Sequence, residues 1–445
     1  MYLPHTQQDV DRLLQRCGLN TLDDLFADVP AELKMKGDYA LPKGMSEQQV
    51  ADFITMLSEQ NTTFRSIFAG AGFYDRYTPA LIPALMSRSE YATAYTPYQP
   101  EISQGTLQYI FEYQTMIADL TGLEVSNASM YDATTATAEA MMMMVGAARR
   151  RNRVLVSATV NPLVLNVVTT YAKYHGIDLE VIPERDGVTN LDTLRALLSA
   201  PEAKTIAGVI LPQPNFHGIV EDFSGIADVI HAAKALLTIT GPAMPLAVLR
   251  TPAEWGADIA CGDAQSLGMP LNFGGPYLGY MSCTKALIRK IPGRIVGATT
   301  DARGNRVFVL TLQAREQHIR RNKATSNICS NQGMMALLVD VYISLLGPRG
   351  LEEANRLSHD GAVYLCNGLT ASGKLKQVFP DKPFLNEFLL TAEPAYLDRL
   401  EAVCQENDIL PGVRTAPDRL LVAVTERQSR SELDKYINSA KHIEA

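Results

Sequence analysis

The chain has 445 residues, 47% hydrophobic and 20% charged, with a net charge of −8. That length allows two domains and a large core, and the composition is ordinary for a globular protein. The acidic balance excludes a chain-wide basic footprint for nucleic acid. Six cysteines lie scattered without a C-x-x-C pair, which fits buried thiols in a reducing compartment better than a disulfide frame. Seven histidines show no metal-ligand spacing, so no metal site is expected. The N-terminus MYLPHTQQDVDRLL has neither the basic nor the apolar region of a signal peptide. No apolar stretch reads as long enough to span a membrane, and a cytoplasmic protein is expected.

Residues 1–65 read as a helical N-terminal arm. Val10, Leu13, Leu14 and Cys17 recur at helical spacing before Gly18. Val50, Phe53, Ile54 and Leu57 repeat the pattern, with Ser46 as the expected N-cap. Residues 66–330 read as a large α/β domain. SIFAGAGFYDRYTPALIPALMSR is rich in turn residues, and GTLQYIFEYQTMIADLTG is a helix expected to bury Leu107, Ile110, Phe111, Ile117 and Leu120. The apolar runs RVLVSATV, LEVIPE, TIAGVILPQP, LLTITG, GADIACGD and YLGYMSC alternate with helical patterns, which predicts a mostly parallel sheet covered on both faces. A hairpin is expected around DARGNRVFVLTLQ, then a long apolar helix ending at Gly347–Pro348. Residues 331–445 read as a smaller C-terminal α/β domain.

Three segments carry candidate chemistry. The loop from Tyr95 to Gln104 packs Tyr95, Thr96, Tyr98, Gln99, Glu101, Ser103 and Gln104 into ten residues. Hydroxyls, amides and one carboxylate suit the orientation of a small polar substrate. The plainer alternative is a turn stiffened by Pro97 and Pro100. In NASMYDATTATAEA, Asp132, Thr134 or Thr135 could cap a helix whose free N–H groups attract anions. In AREQHIRRNKATSNIC, His318, Arg320, Arg321 and Lys323 concentrate positive charge beside Thr325, Ser326 and Asn327. Such a group suits a carboxylate or a phosphate, and equally a solvated basic turn.

The runs YTPYQPEISQG and REQHIRRNKATSNIC resemble the glycine cleavage system P-proteins, in particular the first-subunit chains of the two-chain bacterial form. The likeness runs over almost the whole chain. It implies a pyridoxal phosphate (PLP)-dependent, aminotransferase-like fold of type I, with a mostly parallel sheet in the large domain. It implies the activity of a glycine dehydrogenase that decarboxylates glycine and passes the aminomethyl group to a lipoyl arm. It also implies that Tyr95, Thr96, Tyr98, Gln99, Glu101 and Gln104 sit at or near a shared active site. Asn127, Ser129, Asp132, His318, Arg320, Arg321, Lys323, Ser326 and Asn327 would approach substrate or cofactor across a subunit interface. The implied partners are a lysine-bearing second subunit, in a two-plus-two heterotetramer, and the lipoylated carrier protein.

The resemblance also exposes a gap. A PLP enzyme of this fold needs a lysine after a late strand and an aspartate for the ring nitrogen. No lysine lies between Lys234 and Lys285. Ser266 falls near the lysine position and Met244 near the aspartate position; Ala133 stands where glycine is usual in the helix-opening turn. The expectation is therefore that PLP is held covalently by the partner subunit and not by this chain. Gly262, Gly268, Gly274 and Gly275 then read as devices for close backbone approach. His217, in LPQPNFHGIVED, reads as a packed or solvated side chain. Three other readings stay open: a self-sufficient PLP aminotransferase or lyase using Lys285, a purely structural pseudoenzyme subunit, and another small-molecule enzyme built on this fold without PLP.

Overall fold

The computed structural model describes residues 4–443 apart from 94, 149, 273, 325, 329, 330 and 442. The chain divides into two units, Met1–Thr63 and Phe64–Ala445. In the first, helix α1 (Gln7–Arg16) is capped by Thr6, which exchanges bonds with Asp9. Helix α2 (Glu47–Ser58) repeats the device with Ser46, the expected cap, and Gln49.

The second unit opens with strand β1 (Ser66–Ile67) and the short helix α3 (Leu81–Met86), in a stretch the sequence marks only as turns. Pro83 is tolerated there because the first turn of a helix has no partner for its amides. Helix α4 (Gln104–Thr121) follows, stopped by Gly122 in the left-handed conformation. It buries Leu107, Ile110 and Ile117 as expected, but Tyr113 and Gln114 are buried while Phe111 and Leu120 are only half-buried. Both sides of α4 are covered, so a single apolar stripe misjudges its buried face.

Strand β2 (Val125–Ser126), helix α5 (Ala133–Ala147), strand β3 (Arg153–Ser157), helix α6 (Pro162–His175) and strand β4 (Asp178–Ile182) come next. A short ribbon, β5 (Glu184–Arg185) with β6 (Val188–Thr189), leads into helix α7 (Leu191–Ser199). Then come β7 (Ile206–Pro212), helix α8 (Ile226–Ala232), β8 (Leu236–Pro242), β9 (Ile259–Asp263) and β10 (Gly279–Cys283). Seven strands form one sheet in the order β2-β10-β9-β8-β7-β3-β4. The five from β9 to β4 are mutually parallel, and β10 runs antiparallel to β9 and β2. Side chains alternate between faces: Val154, Val156 and Ile210 pack under α5 and α6, while Leu155, Val209 and Leu211 pack under α7 and α8. Double coverage explains why these strands are apolar without a break.

The expected hairpin is β11 (Ile295–Thr300) with β12 (Arg306–Thr311), followed by the one-turn helix α9 (Gln317–Arg320). Helix α10 (Gly333–Thr370) is broken at Gly347 (φ 59°, ψ −178°), just before Pro348. By length and composition α10 could pass for a membrane span, against the sequence reading. Its buried residues are instead shared between two cores: Leu338, Tyr342 and Leu351 join the large-sheet side, and Ala362, Leu365 and Leu369 the C-terminal one. The remaining elements are β13 (Lys376–Gln377), β14 (Glu387–Thr391), α11 (Pro394–Glu406), β15 (Ile409–Leu410), β16 (Val413–Ala416), β17 (Arg419–Ala423) and α12 (Arg430–Lys441). They form a four-stranded antiparallel sheet, β13-β14-β17-β16, and β1 pairs in parallel with β15.

Candidate functional site

The carboxyl ends of β7, β8 and β9 open on a cavity of about 80 Å³. Pro212, Thr240, Gly241 and Asp263 supply its sheet side; Ala133 and Thr134 bring in the start of α5, and Tyr74 and Glu387 close another wall. Ligands bind at this end of a parallel sheet because strand directions diverge there and helix N-termini converge. Two glycines allow the strands to approach. A Cβ on Gly262 would lie 1.7 Å from the Gly241 carbonyl oxygen, and one on Gly241 would lie 2.2 Å from that of Gln213. Gly268 (φ +83°) likewise lies against the Tyr342 ring. Gly274 (φ +110°) and Gly275 face open space, so close approach is not their reason; only Gly274 has a conformation that favours glycine.

A phosphorylated, lysine-bound cofactor would need free N–H groups, a cation and an amine at this cavity. The α5 terminus gives two of its N–H groups to carboxylates instead, one of them from β9. Asp132 is the N-cap and accepts from the Thr135 amide (2.8 Å) and the Thr134 hydroxyl (2.6 Å). Asp263 accepts from the Ala133 amide (3.3 Å) and the Gln265 amide (2.7 Å). Burial pushes the Asp263 carboxyl up to about 7, against those two bonds, and Asp132 nearby adds to the rise. Glu387 is also raised to about 7 by burial, while the Ala71 amide (2.6 Å) and the Tyr74 hydroxyl (3.0 Å) hold its oxygens. No lysine, arginine or histidine lines the cavity among the described residues. Ser266 is buried with its hydroxyl accepting from the Met244 amide (3.1 Å). Lys285 lies at the other end of the sheet: β10 is antiparallel to β9, and Thr284 next to it bonds to Asp258, ahead of β9. The residues present do not fit PLP.

The Tyr95–Gln104 loop lies elsewhere, and none of its residues lines that cavity. Gln104 fastens it to the hairpin, donating to the carbonyls of Pro100 (2.7 Å) and Phe308 (2.9 Å) and accepting from the Phe308 amide (2.9 Å). Tyr95, Gln99 and Glu101 are exposed, and Tyr98 is 46% exposed. Thr96 is half-buried with its hydroxyl unpartnered among the described residues. Tyr98 meets two residues from afar in sequence. Arg294 Nη2 donates to its hydroxyl (3.2 Å), and the His318 ring stands edge-on at 5.7 Å. Glu316 lies behind both, with Oε2 at 3.8 Å from Arg294 Nε and 3.5 Å from His318 Nδ1. Burial raises the Glu316 carboxyl, and Arg294, His318 and Arg315 oppose the rise.

The other candidates divide. Asn127 is buried and braces the turn before Arg294, donating to the Pro292 carbonyl (3.0 Å). Ser129 is buried and accepts from the Gln332 amide (3.0 Å) at the start of α10. Arg320, Arg321 and Lys323 are exposed and make no ion pair among the described residues. Ser326 accepts from the Ile328 amide (3.1 Å), and Asn327 is exposed; Thr325 lies outside the described residues. His217 packs on Phe379 and bonds to Glu184 (2.8 Å), and it does not line the cavity that Phe216 beside it lines. Sequence reasoning passed over Arg294 and Glu316. The signal available was weak: a lone arginine after Pro292–Gly293, and an acid among the bases of REQHIRR.

The whole chain is similar to known proteins. The family model described as glycine cleavage system P-protein matches residues 1–439. A probable glycine dehydrogenase (decarboxylating) subunit 1 from Bacillus cytotoxicus is 44% identical over 451 residues, covering 100% of this chain and 99% of its own. The crystal structure of a glycine decarboxylase (P-protein) of the glycine cleavage system, in inhibitor-bound form, aligns with a TM-score of 0.89 at 38% identity over 99% of each chain. A glutamate decarboxylase from Lactobacillus brevis, 15% identical, shares the fold alone, with a TM-score of 0.68 over 93% of this chain and 96% of its own. These likenesses bear out the expected fold class, type I with a mostly parallel sheet and a smaller C-terminal layer. With its whole length so matched, the chain belongs to the glycine cleavage system P-protein family.

Proposed function

We propose that this chain is the half of a glycine-decarboxylating P-protein that completes the active site of a second, lysine-bearing subunit. The observation that carries the reading is the cavity at the strand ends, where two buried carboxylates and a capped helix stand in place of a lysine and a phosphate cradle. The relatives' designation as subunit 1 supports a second subunit; the assembly we propose is a two-plus-two heterotetramer. PLP, held by that subunit, would supply an electron sink when bound. The aminomethyl group is passed to the lipoyl arm of the carrier protein.

In this reading Tyr95, Thr96, Tyr98, Gln99 and Glu101 orient glycine or the lipoyl dithiol. Arg320, Arg321 and Lys323 supply positive charge to a carboxylate or phosphate. Their hold on the substrate carboxylate must stay weak in the ground state, because charge leaves that group as CO2 departs and only preferential transition-state stabilisation speeds its loss. Gln104, Asn127, Ser129 and Asp132 support the loops that carry these groups, beside Ser326 and Asn327. The cytoplasm is the proposed compartment.

The test is to purify the chain alone and with a lysine-bearing second subunit, then record the PLP absorbance band and glycine–bicarbonate carbon exchange with lipoyl carrier. The expected result is neither band nor exchange from the chain alone and both with the second subunit. A reducible PLP adduct and turnover from the chain alone would overturn the reading.

A further inference from the structure

We propose that Arg294 and Glu316 are positioning residues that set the Tyr98 hydroxyl as a hydrogen-bond donor and His318 Nε2 as an acceptor for polar groups of the substrate; this rests on the reading that the Tyr95–Gln104 loop serves the active site. Arg294 is 2% exposed and Glu316 6%. A buried pair kept only for stability gains most by closing to hydrogen-bond distance and saturating its polar atoms. This pair does neither. Arg294 Nε and Glu316 Oε2 stand 3.8 Å apart, and Arg294 Nε and Glu316 Oε1 have no hydrogen-bond partner among the described residues.

The two charges reach outward instead. Arg294 donates to the Tyr98 hydroxyl at 3.2 Å, with its guanidinium carbon 5.2 Å from the centre of the same ring. Glu316 Oε2 lies 3.5 Å from His318 Nδ1, and the two rings meet at 5.7 Å and 64°. Each half-exposed ring is thus tied to one buried charge. The charges are themselves fixed: the Arg294 carbonyl accepts from the Ala128 amide (2.8 Å), Arg315 Nη2 donates to the Gly293 carbonyl (2.7 Å), and the Glu316 carbonyl accepts from the Arg320 amide (2.9 Å). Arg294, Arg315 and His318 are the charged or titratable groups facing Glu316.

The polarity follows from hydrogen-bond chemistry. A hydroxyl that already accepts from Arg294 keeps its own hydrogen to donate. An imidazole that turns its Nδ1–H to a carboxylate leaves Nε2 as a hydrogen-bond acceptor to meet the ligand. Both outcomes need the buried pair, since neither ring has another polar side-chain partner among the described residues.

The test is steady-state glycine exchange by the assembled two-subunit enzyme carrying R294K, E316Q, Y98F, or R294K with Y98F. R294K and E316Q are expected to raise the KM for glycine by about tenfold or more, with melting temperature and copurification of the second subunit little changed. R294K is expected to add no more than about twofold once Tyr98 is already Phe, because its effect runs through that hydroxyl. If Y98F impairs the enzyme while R294K and E316Q do not, or if R294K costs the same in both backgrounds, the positioning role is overturned. If Y98F and H318Q also leave turnover unchanged, the reading of the loop as an active-site element fails first. Should R294K not assemble, E316Q with and without H318Q runs the same cycle.

Discussion

The Ser266 hydroxyl accepts a hydrogen bond from the backbone amide of Met244 at 3.1 Å, so the two positions where cofactor anchors are expected are bonded to each other. Both are at most 1% exposed. Restoring a lysine at 266 must bury an ammonium where a hydroxyl fits. S266K is expected to cost roughly 3 kcal/mol or more and to give no borohydride-reducible adduct with PLP. Thermal melting and intact mass after reduction check both; a stable adduct would mean that one lysine suffices to recover cofactor binding.

Glu387 gives the cavity a pH signature. Folding raises its carboxyl from the ordinary 4.5 to about 7 through burial. The native state therefore holds its proton more tightly than the unfolded chain. This contribution to stability is fully present below the unfolded value and is lost as pH rises through about 7. Gln at 387 can still accept from the Ala71 amide and donate to the Tyr74 oxygen. E387Q should match the parent near pH 4 and exceed it at pH 8 by on the order of 2 kcal/mol. Urea unfolding at the two pH values measures this, and equal shifts at both would show that Glu387 is not the titrating group.

Gln104 is predicted to hold its loop more than to meet substrate. It makes three hydrogen bonds to backbone atoms of Pro100 and Phe308. Q104A should destabilise the chain by about 2 kcal/mol and speed proteolysis between residues 95 and 104. Q104E should do no better, because a carboxylate cannot donate to the two carbonyls. Unchanged cleavage rates would remove Gln104 from the loop's support.

Two neighbouring glycines should behave differently. G262A places a Cβ 1.7 Å from a carbonyl oxygen of the adjacent strand and should abolish soluble expression or cost more than about 4 kcal/mol. G274A meets open space and bears only the strain of φ +110°, which should cost about 1 kcal/mol. Soluble yield and melting temperature separate the two.

The large sheet was legible because double burial leaves an unbroken apolar run: RVLVS and IAGVILP have no other comfortable place. The cap at Ser46, the 295–311 hairpin and the break at Gly347 were legible from local chemistry. The two-residue pairing of Ser66–Ile67 with Ile409–Leu410 was not, because it joins segments more than three hundred residues apart and leaves no period to read. The same limit hid Arg294 and Glu316. Their relation to Tyr98 and His318 exists only after the hairpin folds back beside the loop. Sequence could name Asp132 as a cap, but not that Asp263 would arrive at the Ala133 amide and set a second carboxylate at the helix terminus.

Past Gly347, the helix α10 is one continuous rod that enters both cores. Asn355 on it donates to the Met244 carbonyl at 3.0 Å, and Cys366 lies within the C-terminal core, roughly 16 Å further along at 1.5 Å per residue. Met244 is therefore held from two directions, by Ser266 through its amide and by the rod through its carbonyl. Damage to the C-terminal core has a direct mechanical route to the strand ends. Inherited or engineered changes around Leu365 and Leu369 should loosen the turn after β8 as well as their own layer, and amide exchange at Met244 would register it.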